Sequence, residues 1–163
     1  MEKFEKILKQ QERKHAAKLK KSHGLICKQL HYVDCWPLYI AKPAWTNRFD
    51  KNRDATLGIF CAIWVGESDL KKKKFPYNIH AKTLRKYPGY NIEPREFADE
   101  FRRLVESEVA DWPGIKLDYG PSTLLGGKET CALDSFAEKV EERILGFASI
   151  QHHIDDLLEA ARQ

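Results

Sequence analysis

At 163 residues the chain is too short for several large domains and long enough for one that buries a substantial core. A 42% hydrophobic and 11% aromatic content excludes a disordered chain, and 32% charged residues with a formal net charge of +4 describe a well-solvated surface. No stretch reaches the roughly 20 apolar residues of a membrane-spanning helix, and residues 1–15 carry charges throughout with no apolar signal segment after them.

Residues 2–22, rich in Glu, Lys, Gln, Ala and Leu, predict a basic amino-terminal helix with Phe4, Ile7 and Leu8 on one face and Gly24 as its stop. From Leu25 to Ile40 the residues favour extended structure, and Pro37 marks a break between two strands. Residues 43–54 are polar and turn-rich. Leu57 to Val65 is a nearly unbroken apolar run of strand length, as expected of a strand covered on both faces, and we take it as the middle of the sheet. Residues 75–81 form a further strand, placed at an edge because of Pro76. Pro94 opens a helix to about Asp111, with Phe97, Phe101, Leu104, Val105 and Val109 on one face. Residues 115–119 read as a short strand, 120–130 as a loop, and 134–161 as an acidic final helix bent at Gly146.

These elements predict an α+β fold in the order α-β-β-β-(β)-α-β-α, a mainly antiparallel sheet of four to five strands with helices packed on one face. One domain over 1–163 is expected, comprising helix 1–22, a sheet with its amphipathic helix 94–111 over 25–119, and helix 134–161. The opposite charge of the two terminal helices places them together, within one chain or across a dimer.

Four cysteines (Cys27, Cys35, Cys61, Cys131) without a CxxC pair point to free thiols and a cytoplasmic location. His23, Cys27, His31 and Cys35 recur every four residues, but that spacing puts neighbours about 13 Å apart on a strand, so no metal site is expected there. His152 and His153 are adjacent on a helix and read as solvent-exposed residues pointing apart. No cofactor is implied.

The ligand or nucleic-acid candidates are Lys71, Lys72, Lys73 and Lys74, then Arg85 and Lys86, with nearby aromatic residues as stacking faces. Gly126, Gly127 and Lys128 join them, because a glycine-rich loop between strand and helix is where phosphates are cradled, although the Walker spacing fails. A catalytic version uses Asp54, Asp69 and Lys71 as carboxylates for Mg²⁺ and a lysine for phosphate, in an element order similar to that of restriction-type nucleases. No complete catalytic signature is present. The sequence therefore predicts a small intracellular binding or accessory domain acting through protein or ligand contacts, with a protein partner or a homodimer. The alternative is a nucleic-acid-associated protein of the metal-dependent nuclease kind.

Overall fold

A computed structural model describes residues 2–50 and 57–163. Its centre is a five-stranded antiparallel meander in which spatial order follows chain order. The strands are β1 (Ile26–Gln29), β2 (Leu38–Ala41), β3 (Gly58–Ile63), β4 (Lys74–Lys82) and β5 (Thr123–Thr130). Helix α1 (Glu2–His23) precedes them, α2 (Glu67–Lys71) joins β3 to β4, α3 (Pro94–Val105) lies between β4 and β5, and α4 (Phe136–Ala160) closes the order. The fold is α+β with an antiparallel sheet, as the sequence pattern predicts.

The apolar run supplies β3, every residue of which is buried, and β3 pairs with β2 on one side and β4 on the other. Register sorts the side chains into two faces, because successive residues of a strand point oppositely. Tyr77, Ile79 and Ala81 of β4 lie opposite Ile63, Cys61 and Ile59 of β3 and share the helix-covered face. There Phe75 meets Phe136 of α4 edge-on at 5.6 Å, and Phe136 meets Phe4 of α1 at 4.8 Å. The terminal helices thus meet within one chain, with an ion pair of 2.5 Å from Lys14 to Glu141 across their contact. Asp155 of α4 pins the segment after β2, accepting from Lys42 Nζ and, at 2.7 Å, from the indole Nε1 of the fully buried Trp45.

Several boundaries differ from expectation for physical reasons. β4 is paired on both sides, so Pro76 is not on an edge strand. Its carbonyl accepts from Trp64 N just past the end of β3, so its missing N–H falls where that ladder has already finished. Helix α3 stops at Val105, six residues short of the predicted end, and the apolar Val109 is buried through the turn that follows. Segment 115–119 is reduced to a single bridge between Lys116 and Gly126, while the expected loop at 120–130 is β5. Gly24, with φ +67°, ends α1 as its sequence position predicts.

Candidate ligand-binding cleft

The second face of the sheet carries none of the packing described above. Asn78 and His80 of β4 lie opposite Ala62 and Phe60 of β3 and belong to this face, as does Tyr39 of β2, which pairs with Ala62. Three aromatic rings form a row across it. Tyr39 stands edge-on to Phe60 at 5.2 Å and to Trp64 at 5.6 Å, and Trp64 stands 6.0 Å from the His80 ring. The Arg48 guanidinium lies over Tyr39 and Phe60, 4.3 and 4.5 Å from their centroids, and donates to both Tyr39 Oη and Tyr32 Oη. Burial, aided by the nearby Lys82 charge, pushes the His80 imidazole down to about 4. It is therefore a neutral ring at pH 7. Burial also drives the Tyr39 phenol upward, and that group stays protonated.

Beside this row a cleft of about 410 Å³ opens between β4–β5 and segment 114–119. That volume lies in the range of small-molecule sites. The segment crosses the β5 edge. Pro113 O accepts from Tyr77 Oη at 2.7 Å on the helix side, and Tyr119 covers Gly126 on the open side. The crossing is held by Arg102 of α3, whose guanidinium donates to the carbonyls of Tyr119, Gly120, Thr123 and Leu124 at 2.8 to 3.1 Å. Under the cleft, on the helix side, Arg143 stacks on Trp112 and Tyr77 with its Nε 3.8 Å from the buried Glu129 carboxylate. Burial raises Glu129's affinity for a proton, while Lys139 and Arg143 oppose that rise.

The polar groups facing the cleft are mainly donors. Lys116 and Lys128 are exposed there, and among the described residues neither has a carboxylate partner. Asn78 contributes its amide: Oδ1 is already taken by Trp64 Nε1 at 2.9 Å, which leaves the N–H₂ end for the cleft. Thr123 lines the wall with its Oγ1 3.4 Å from His80 Nδ1, so cleft and aromatic row are continuous. Among the described residues no carboxylate lines the cleft.

The sequence-predicted residues are scattered around this site. Gly126, Gly127 and Lys128 line it, but not as a phosphate-cradling loop. They belong to β5, where Gly126 N donates to Lys116 O at 3.2 Å. Their glycine identity answers a packing demand: a methyl group at Gly127 would stand 2.2 Å from Tyr77 Oη, and one at Gly126 3.0 Å from Tyr119 Oη. Lys71 ends α2, Lys72 caps it, Lys73 adopts a left-handed turn conformation (φ 52°), and Lys74 begins β4; all four are exposed. Arg85 and Lys86 lie beyond the other end of β4, with Arg85 paired to Glu93 at 2.7 Å. The nine residues of β4 separate these two basic groups by roughly 27 Å. They are two patches, each more than a Debye length from the other.

Asp69 and Lys71 sit on α2, and neither lines the cleft. Asp54 lies outside the described residues. Among the described residues the His23, Cys27, His31 and Cys35 series forms no cluster with metal-ligand spacing, and His31 instead stacks on Trp36 at 5.6 Å. Sequence reasoning missed Asn78, His80, Lys116, Tyr119 and Thr123 as site residues. For Asn78 and His80 the signal was the alternation of β4, with partly exposed side chains between buried ones; nothing local marked Lys116, Tyr119 or Thr123. No protein-family model matches the chain, and neither a curated protein nor a solved structure matches it.

Proposed function

We propose that this chain is a binding domain whose ligand is a small anionic molecule of about nucleotide size, held in the cleft between β4–β5 and segment 114–119. One observation carries the reading: two lysines and an amide N–H₂ face a cleft of about 410 Å³, and among the described residues no carboxylate pairs with those lysines or lines the cleft. A site built from donors is completed by acceptors, and phosphate or carboxylate groups supply them with negative charge. Tyr119 and the adjoining rings of Trp64 and His80, whose planes are inclined by 71°, offer aromatic contacts for a planar portion of the ligand. The four free cysteines support a reducing compartment such as the cytoplasm, and no helix among the described residues is long and apolar enough to cross a membrane.

The test is a thermal-shift and calorimetric series with inorganic phosphate, mononucleotides and dicarboxylates, on the wild-type chain and on Lys116→Ala/Lys128→Ala. Both lysines are exposed, so the double variant should fold normally. A ligand at about 100 times its Kd stabilises by about 2.7 kcal/mol, a rise of several degrees in Tm. We expect that rise in the wild type and its loss in the double variant. Equal responses from both proteins refute the assignment. Single-stranded DNA in the same series tests the nucleic-acid alternative, which the exposed run Lys71–Lys74 favours. DNA binding that survives in the double variant, falls steeply with salt, and disappears when those four lysines are replaced would put the functional surface there instead.

A further inference from the structure

We propose that Glu108, His152 and His153 form a binding site for a divalent transition-metal ion of the zinc class. The site is independent of the anion cleft. Adjacent residues on a helix start about 100° apart, so two neighbouring histidines ordinarily diverge. Here their rings converge, with centroids 4.0 Å apart and planes inclined by 39°. Glu108, on the turn after α3, reaches across to α4 and places Oε1 2.7 Å from His153 Nε2. One ligating atom from each of the three residues lies within 4.8 Å of the other two.

A tetrahedral ion with bonds of about 2.0 to 2.2 Å needs its ligand atoms roughly 3.3 to 3.6 Å apart. Side-chain rotation alone can open the 2.7 Å Glu108–His153 pair and draw the ligand atoms to that spacing, since Glu108 and His152 are exposed while the backbone beneath them is fixed. Val109, next to Glu108, is fully buried with its N–H bonded to Val105 O at 3.0 Å; Ile154, next to His153, is fully buried too. The His153 side chain is 13% exposed and is already oriented by the carboxylate. Two imidazoles and one carboxylate suit Zn²⁺, Co²⁺, Ni²⁺ or Cu²⁺, whereas Mg²⁺ and Ca²⁺ prefer all-oxygen sets. Water would complete the coordination. The bound ion would tie α4 to the turn that follows α3.

The competing account is a plain ion pair between Glu108 and His153, and it gives His152 no part. The experiment uses the untagged chain, stripped with chelator and titrated with Zn²⁺ by calorimetry, with Co²⁺ absorption as a spectroscopic readout and Mg²⁺ as control. We expect one Zn²⁺ per chain, a Tm raised by several degrees at saturation, and no response to Mg²⁺. His152→Ala and His153→Ala should each weaken Zn²⁺ by about tenfold or more, and Glu108→Gln should also weaken it. Absence of saturable Zn²⁺ binding in the wild type overturns the proposal. So does wild-type affinity in His152→Ala, or in the double histidine variant, which would move the ion to other histidines or thiols.

Discussion

His80 should make the stability of this fold depend on pH in a defined window, and the size of the effect follows from its surroundings. The imidazole faces Phe60 at 5.2 Å, Trp64 at 6.0 Å and Thr123 Oγ1 at 3.4 Å, with Lys82 two residues along the same strand face and Arg48 across the row. Burial first, then the two cations, take it from 6.5 down to about 4. A group whose folded-state value is depressed contributes its stability above the unfolded value and loses it as pH falls toward the folded one. The window therefore runs from about pH 6.5 down to about 4. Protonating the unfolded chain alone would cost about 2 kcal/mol by pH 5, and solvent screening of a half-buried ring reduces this to on the order of 1 kcal/mol. Urea unfolding at pH 7.5 and pH 5, on the wild type and on His80→Gln, isolates that contribution because all other titrations are shared. We expect the wild-type midpoint to fall by roughly 0.5 M more than that of the variant. Parallel shifts in the two proteins would refute the reasoning, as would an NMR titration of the His80 ring centred near 6.5.

Gly127→Ala should destabilise by about 1 to 3 kcal/mol through overpacking, because the new methyl would meet Tyr77 Oη at 2.2 Å and Pro113 O at 2.6 Å; thermal melting by circular dichroism measures it. The same change should displace segment 113–119, so anion binding in the cleft should fall along with stability. Asp155→Ala leaves the buried Trp45 indole N–H and the Lys42 ammonium without their acceptor, at a cost of about 1 to 3 kcal/mol in chemical denaturation and with a shifted tryptophan emission.

The architecture was readable where the pattern was local. The length of the apolar run from Leu57 to Val65 favoured a strand covered on both sides, and the three- and four-residue spacing of Phe97, Phe101 and Val105 favoured a helical stripe. β5 was hidden because its middle, Gly126-Gly127, has the composition of a loop. Those glycines are required by rings from residues 77 and 119, which no local window contains. Pro76 misled in the same way, since whether a missing donor matters depends on where the neighbouring strand ends. The cleft draws on 76–78, 114–119 and 123–128, so its donors become neighbours only through strand register and the Arg102 clamp. The two histidines on α4 were dismissed on helical geometry alone, and the carboxylate that gathers one of them comes from another element.

The contact between α1 and α4 joins the earliest and latest helices of the chain. Strands β1 to β4 can pair as they leave the ribosome, because each meets the next strand in the chain, whereas β5 must wait for α3 and the segment after it. Phe4 meets Phe136, so the part of α1 that faces α4 gains its cover only after the start of α4 has been synthesised. β1 can cover one side of α1 early, but the side that faces α4 must wait, and nascent chains halted before residue 136 should be the ones that chaperones hold longest.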